Sequence, residues 1–205
     1  MRALLLVDLQ LDFMPGGALA VRDGDTTVAV ANALMPRFAH VACTQDWHPA
    51  DHGSFASQHP GRKPGEVVDL HGLQQVLWPD HCVQDTAGAR FHPDLRLPAD
   101  AIVFAKGQDR TVDSYSGFFD NGRRNATGLG DALRARGVRD LAVLGLATDY
   151  CVLFTALDAV DLGFAVTLVV AGCRAVDLAP GDGDRAIERM RTAGVRIATE
   201  LGELA

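Results

Sequence analysis

The chain has 205 residues, a length at which one core can be buried without support from metals or disulfides. Its composition, 48% hydrophobic and 22% charged, is that of a globular protein and excludes a disordered one. Nineteen basic residues against 26 acidic ones give a formal net charge of −7, with no basic cluster. We therefore expect neither nucleic acid nor a membrane surface as a partner.

The sequence also favours a cytoplasmic location. No apolar run approaches the roughly 18 residues of a membrane helix. Only one Arg and five apolar residues separate Met1 from Asp8, which is too few for a signal peptide. The four cysteines lie far apart and form no C-x-x-C pair, so we expect reduced thiols rather than a disulfide framework or a zinc ribbon.

Apolar runs and helical patterns alternate along the chain. The predicted strands cover residues 3–7, 38–44, 101–105, 141–146, 164–170 and 195–198. The predicted helices cover residues 26–37, 127–136, 151–162 and 183–193. Because the strand runs are apolar throughout, they suit a parallel sheet that is covered on both faces.

This alternation predicts one α/β domain over residues 1–205. We expect an open, doubly wound, six-stranded parallel sheet with helices on both faces. Residues 47–100 are the exception, because they are rich in Pro, Gly and His and show no clear periodicity. A long insertion of this kind in a compact domain is usually functional.

Four reactive side chains fall at or just past the carboxyl ends of predicted strands: Asp8, Asp46, Lys106 and Cys151. In open α/β sheets ligands bind at this edge. Cys151 begins a predicted helix, whose dipole favours a thiolate. Asp8 can then act as a general base and Lys106 as a cation that stabilises negative charge. Taken singly, each has a structural explanation: a buried thiol, a capping residue or a solvated charge.

A second group of residues has the chemistry of a metal site. Asp46 and His48 are two residues apart, so an extended segment places both on one face. A carboxylate with an imidazole is a plausible beginning for a metal site. The candidates for a further ligand are His52, His59, His71, His81 and His92. His81 stands out within Trp78-Pro-Asp-His81-Cys-Val, although a loop histidine is often only solvated or bonded to the backbone.

Several motifs of this chain resemble those of the nicotinamidases, also called pyrazinamidases, of the isochorismatase-like cysteine hydrolase family. The matching segments are residues 8–13, 45–57, 78–83, 106–107, 113–121 and 145–152. Together with the residues between them, they extend the similarity over essentially the whole chain. The first segment is common to the superfamily, whereas the Asp-x-His and Trp-Pro-x-His-Cys blocks are specific to nicotinamidases.

The resemblance implies a Rossmann-like, three-layer isochorismatase fold and a role for each matching residue. The implied catalytic triad is Asp8, Lys106 and Cys151. One divalent metal ion, zinc in the first instance and otherwise iron or manganese, is implied at Asp46, His48 and His81, with His52 as a possible further member of its shell. The implied substrate pocket contains Phe13, Trp78 and Tyr115. The implied oxyanion hole consists of the backbone N–H groups of Ala147 and Cys151, beside a cis Leu146–Ala147 bond.

The implied reaction is hydrolysis of nicotinamide to nicotinic acid and ammonia through a Cys151 thioester, in NAD salvage, with pyrazinamide as a further substrate. Three alternatives stay open at this point. The chain can be a hydrolase of another small amide or ureido compound, or an isochorismatase, although that reaction needs neither a thiol nor a metal site. Alternatively, a metal-bound water is the nucleophile and Cys151 is structural. A non-catalytic relative would lack a triad member, and none is missing.

Overall fold

The chain folds around one parallel sheet, as described for residues 1–204 in a computed structural model. The strands are β1 (Arg2–Val7), β2 (His40–Asp46), β3 (Val67–Leu70), β4 (Leu73–Val76), β5 (Ile102–Lys106), β6 (Asp140–Leu146), β7 (Ala165–Arg174) and β8 (Arg196–Ala198). The α-helices are α1 (Thr26–Leu34), α2 (Leu129–Ala135), α3 (Leu153–Asp161) and α4 (Asp182–Thr192). Short 3-10 turns cover Leu11–Phe13, Met35–Arg37, Ala56–Gln58 and Leu201–Leu204.

Six of these strands form the main sheet in the order β5–β2–β1–β6–β7–β8, and all neighbours are parallel. The chain moves from β1 through β2 to β5 at one edge and from β6 to β8 at the other, so strand order reverses between β1 and β6. Right-handed crossovers place α1 on one face and α2 to α4 on the other. The predicted doubly wound six-stranded sheet is confirmed.

The core lies in the two central strands and in the helices that cover them. Leu4, Leu5 and Leu6 of β1 are completely or almost completely buried, as are Val143 and Leu144 of β6. This explains why these strands read as unbroken apolar runs rather than as alternating patterns. Among the helices that the structure describes, none is long and apolar enough to span a bilayer.

Most predicted boundaries are displaced by one or two residues or more, and three of the displacements have clear local reasons. Helix α1 ends at Leu34 and not at residue 37, because Pro36 lacks the N–H that would continue the helix. Helix α2 begins at Leu129, two residues after its predicted start. Thr127 precedes the helix, and its hydroxyl accepts a hydrogen bond from the Leu129 N–H at 3.2 Å. Strand β7 continues past residue 170 to Arg174, since Cys173 still pairs with Gly145 of β6.

Residues 47–100 contain a β-hairpin that the sequence reading missed. Strands β3 and β4 pair antiparallel, and His71 and Gly72 form the two-residue turn between them. Both turn residues have positive φ, 51° and 88°, as a type I′ turn requires. The signal was present, because a glycine-containing pair stands between two short segments of strand composition.

Candidate active site

The four reactive side chains predicted at strand ends meet at the carboxyl edge of the sheet. Asp8 directly follows β1. Asp46 and Lys106 end β2 and β5 and are paired in register. Cys151 lies in a single π-helical turn, Thr148–Val152, that connects β6 to α3. The reversal of strand order between β1 and β6 therefore places Asp8 and Cys151 at the point where ligands bind in such sheets.

The Lys106 ammonium group lies at the centre of this cluster. Its Nζ is 2.9 Å from Oδ2 of Asp8 and 3.4 Å from Sγ of Cys151, and it donates to the Ser114 carbonyl at 2.9 Å. It also donates a short hydrogen bond to Oδ1 of Asp46. Burial acts to lower the pKa of Lys106, but the carboxylates of Asp46 and Asp8 outweigh it and hold this pKa well above its ordinary value. The lysine is therefore a fixed positive charge.

Asp8 has the environment of a general base. It is fully buried and has φ of 51°, an unusual conformation for a residue other than glycine. The Thr44 hydroxyl donates to its Oδ1 at 2.6 Å. Burial raises the pKa of Asp8 to about 6, although Lys106 acts to lower it. A carboxylate with this pKa is ionised near neutral pH and basic enough to accept a proton.

Cys151 is held as a thiol until a base acts on it. The residue is only 7% exposed and lines a cavity at the edge of the sheet. Burial raises the pKa of this thiol well above its ordinary value, and the nearby Lys106 only partly offsets the effect. The expectation of a thiolate at Cys151 is therefore wrong for the free protein, because desolvation, together with the carboxylates of Asp8 and Asp46, outweighs the nearby cation. Asp8, whose carboxylate lies within 4.8 Å of the sulfur, is placed to act as that base.

The three predicted metal ligands converge. Candidate donor atoms of Asp46, His48 and His81 all lie within 4.8 Å of one another. Oδ2 of Asp46 is 3.7 Å from Nε2 of His48 and 3.9 Å from Nε2 of His81. In both histidines Nδ1 lies 2.8 Å from a backbone carbonyl, that of Gly107 or Pro79, so Nε2 is left to face the carboxylate. Such second contacts are the usual way in which a metal-binding imidazole is oriented.

The charges of this group fit a divalent cation. Burial acts to raise the pKa of Asp46, but Lys106 and His48 outweigh it and hold the carboxyl ionised. Burial lowers the pKa of His81 to about 4, so this imidazole is neutral and has a lone pair to offer. One carboxylate and two imidazoles are a donor set suited to zinc and to similar ions, and a site with three protein ligands keeps a position open.

Two neighbours of this metal-ligand group were not predicted. The side-chain amide of Gln10 accepts from the Asp46 N–H at 2.7 Å and donates to the Asp46 carbonyl at 2.7 Å. These two hydrogen bonds fix the backbone of that residue. Gly107 has φ of +67°, and a Cβ added there would lie 2.4 Å from Cε1 of His48. A side chain at position 107 would therefore displace the histidine. Gln10 and Gly107 lie within the matched motifs, but nothing in their spacing indicated these contacts.

His52 lies beside the metal-ligand group. Its ring centre is 4.4 Å from that of His48, and its Nδ1 is 2.7 Å from Oγ of Ser54. Its Nε2 is buried and has no hydrogen-bond partner among the described residues. Candidate donor atoms of His52, His48 and Asp113 lie within 4.8 Å of one another, and the role of His52 in the metal shell stays a prediction. His59 and His92 form local contacts with loop backbone instead.

A small aromatic cavity connects the two groups of residues. Its lining includes Cys151 and Ala147 together with Asp46 and His81. The three predicted pocket residues Phe13, Trp78 and Tyr115 all line it. Sequence reasoning missed the remaining lining residues, which are Leu19, Asp113, Tyr150 and Val176.

The aromatic walls of the cavity are held by contacts between them. Trp78 packs edge-to-face on Tyr150, with ring centres 4.8 Å apart, and its Nε1 donates to the Tyr115 hydroxyl at 3.3 Å. Gln75, from the unpredicted hairpin, donates to Oδ2 of Asp113 at 2.8 Å and to the Tyr115 hydroxyl at 3.1 Å. The hairpin in residues 47–100 therefore supports one side of the cavity.

The segment before Cys151 has the predicted backbone geometry. The Leu146–Ala147 peptide bond is cis, and Ala147 and Cys151 line the same cavity. The carboxylate of Asp149 accepts the N–H groups of Val176 and Asp177, both at 2.9 Å, and so ties this segment to the chain that follows β7. Assignment of the Ala147 and Cys151 N–H groups to an oxyanion hole stays a prediction.

Comparisons with known proteins agree with this geometry. The isochorismatase domain family matches residues 2–200. A nicotinamidase of Escherichia coli (strain K12) is 55% identical over 202 residues, which cover 97% of this chain and 94% of that protein. A solved nicotinamidase/pyrazinamidase of Acinetobacter baumanii has 43% identity and a TM-score of 0.95, with 100% of this chain and 98% of that chain covered.

A further solved relative was determined with a metal. The pyrazinamidase of Pyrococcus horikoshii in complex with zinc has 37% identity and a TM-score of 0.79, with 97% of this chain and 99% of that chain covered. The family match over nearly the whole chain, together with relatives well above 30% identity, identifies the family. The chain belongs to the isochorismatase family.

Proposed function

We propose that this protein is an amidohydrolase that converts nicotinamide to nicotinic acid and ammonia and accepts pyrazinamide as well. The observation that carries the proposal is the shared cavity. The Cys151 thiol, the Asp46 and His81 members of the carboxylate–imidazole group and several aromatic side chains line the same space, and Asp8 and Lys106 lie beside the thiol. A flat ring with a carboxamide at one position and a ring nitrogen at another matches this arrangement.

The first half of the reaction forms a thioester. Asp8 accepts the proton of the Cys151 thiol through its Oδ2, and the sulfur attacks the carboxamide carbon. The oxygen of the tetrahedral intermediate accepts hydrogen bonds from the N–H groups of Ala147 and Cys151. Protonated Asp8 then gives its proton to the amide nitrogen, the C–N bond breaks, and ammonia leaves. Lys106 balances the negative charge that forms at the sulfur.

The second half returns the protein to its starting state. A water molecule loses a proton to Asp8 and adds to the thioester carbon, the C–S bond breaks, and the acid is released. Asp8 then returns the proton to the Cys151 sulfur. The same carboxylate is therefore base and acid twice in each turnover, which agrees with a pKa of about 6 rather than the ordinary value of 3.8.

We further propose that Asp46, His48 and His81 hold one divalent metal ion, zinc in the first instance and iron or manganese otherwise. When bound, the ion supplies a Lewis acid that coordinates the ring nitrogen of the substrate. The zinc-bound pyrazinamidase relative supports this assignment. The substrate is a small molecule, and its product would return to NAD synthesis. The location of this reaction in the cytoplasm stays a prediction.

The alternative substrates differ in what they ask of the cavity. A ureido compound or an aliphatic amide has no ring nitrogen to use the Asp46, His48 and His81 group and no ring to fill the space between Trp78 and Phe13. Isochorismate hydrolysis makes no use of the thiol. Each alternative therefore leaves either the thiol or the Asp46, His48 and His81 group without a role, whereas nicotinamide uses both.

The decisive experiment measures ammonia and nicotinic acid released from nicotinamide by the purified, metal-loaded protein. Benzamide, which has the same ring and carboxamide but no ring nitrogen, is the matched control substrate. We expect rapid release from nicotinamide and from pyrazinamide, and a kcat/KM at least about 100-fold lower for benzamide. The absence of ammonia from nicotinamide, in a protein shown to contain metal, would overturn the proposed function.

The proposed role of Asp8 predicts how activity depends on pH. Because the ionised carboxylate is the active form and burial raises its pKa to about 6, kcat/KM should decline as the pH falls through this value. An ordinary carboxyl would stay ionised to about pH 4. The measurement is the initial rate from about pH 4.5 to about pH 8, with recovery at neutral pH as the control for unfolding. A rate that stays constant down to about pH 4.5 contradicts the assignment.

A further inference from the structure

The side chain of Thr44 forms a directed hydrogen bond with Asp8 in addition to its packing contacts. Thr44 is fully buried in β2, and its hydroxyl donates to Oδ1 of Asp8 at 2.6 Å. A Cβ added to Gly117 would lie 2.5 Å from the Thr44 methyl group, so the backbone of Gly117 closes that side of the threonine. The hydroxyl is therefore held in one direction, towards the carboxyl group of Asp8.

The two oxygens of Asp8 have different surroundings as a result. Oδ1 accepts the Thr44 hydroxyl, whereas the buried Oδ2 has an ion-pair contact. Lys106 faces Oδ2 as an ion-pair partner at 2.9 Å, and its Nζ is 3.4 Å from the Cys151 sulfur. Oδ2 is thus the oxygen on the side of the ammonium group that also contacts the thiol.

We propose that Thr44 is a positioning residue for the general base: its hydroxyl fixes the Asp8 carboxyl group so that Oδ2 is the oxygen that exchanges protons with the Cys151 thiol and with water. This inference rests on the proposed function. Without the hydroxyl, the carboxyl group can rotate about its Cβ–Cγ bond, and either oxygen can face Lys106. The fraction of molecules ready for proton transfer then falls, although the substrate still binds.

The hydrogen bond also suits both protonation states of the base. When Oδ2 carries the proton, Oδ1 is a carbonyl oxygen that still accepts from the Thr44 hydroxyl. The partner of Oδ1 therefore does not change as Asp8 alternates between base and acid. A preorganised contact of this kind costs no rearrangement during the reaction.

The test compares three variants of the metal-loaded protein. Thr44→Val keeps the shape of the side chain and removes the hydroxyl, and Thr44→Ser keeps the hydroxyl and removes the methyl group. Thr27→Val is the matched control, because Thr27 is also fully buried and its hydroxyl donates to the Gly24 carbonyl at 2.6 Å, in α1 and outside the cavity. For each variant kcat, KM, metal content and the thermal midpoint are measured.

We expect Thr44→Val to lower kcat by about 10- to 100-fold, with KM and metal content within about twofold of the unchanged protein. Thr27→Val should lower the thermal midpoint to a similar extent and leave kcat unchanged, and Thr44→Ser should restore most of kcat. If Thr44→Val does not fold, Thr44→Ala is measured against the same expectations. The inference is overturned if kcat of the hydroxyl-free variant stays within about threefold of Thr27→Val, or if its metal content falls in parallel with kcat. Failure of the unchanged protein to release ammonia would instead refute the proposed function.

Discussion

Replacement of Cys151 by Ala is expected to reduce ammonia release from nicotinamide by at least about 1,000-fold, while the protein stays folded and keeps its metal. The alanine retains the small volume of the side chain but removes the only sulfur among the described residues that line the cavity. Asp8 and Lys106 remain in place and have no nucleophile to activate. The measurement is kcat at saturating nicotinamide, together with the thermal midpoint and the metal content.

Cys173→Ala is the matched control for this change. Cys173 is equally buried, but it lies in β7, and its Sγ is 3.4 Å from the Val169 carbonyl. Its replacement should cost some stability and leave kcat within about threefold of its original value. If Cys151→Ala kept substantial turnover, a water molecule would be the nucleophile, and the thioester route would be wrong.

Removal of the metal is the second large effect that we expect. Dialysis against a chelator should lower kcat/KM for nicotinamide by at least about 100-fold, because the ring would lose the contact that orients its carboxamide towards the thiol. Added Zn²⁺ should restore the activity. His81→Ala should have the same effect and should also lower the metal content measured on the purified protein, since one of three ligands is gone.

His40→Ala is the control for the histidine change. His40 begins β2, the strand that ends with Asp46, so it lies at the amino end of that strand, away from the candidate site. Metal content and kcat/KM should be unchanged in this variant. A protein that loses its metal to the chelator and keeps full activity on nicotinamide would show that Asp46, His48 and His81 have another purpose.

The sequence allowed the sheet and the main members of the site to be predicted for a physical reason. Buried parallel strands are apolar throughout, so a charged residue directly after an apolar run marks the end of the strand. Asp8, Asp46 and Lys106 were found in this way, and parallel pairing then brings the strand ends to one edge. The local spacing of Asp46 and His48 and the motif around His81 added the metal-ligand group.

The supporting contacts were beyond such reasoning because they join residues that are distant in the chain. Gln10 and Asp46 are 36 positions apart, as are Thr44 and Asp8, and Gln75 and Asp113 are 38 apart. No periodicity relates residues across different elements. Nor does local sequence report desolvation, which is why the thiol of Cys151 was expected to ionise more easily than its burial allows.

The carboxylate of Asp46 connects the proposed metal-ligand group to the Lys106 ammonium group. Its Oδ1 accepts a hydrogen bond from the Lys106 ammonium group, and its Oδ2 faces the Nε2 atoms of His48 and His81. Electron density that a cation withdraws through Oδ2 is no longer available to the ammonium at Oδ1. A more strongly polarising ion would weaken the hold on Lys106 and change the field at the sulfur. If Asp46, His48 and His81 bind a cation as proposed, the identity of that ion would therefore also affect the ammonium group beside the Cys151 sulfur.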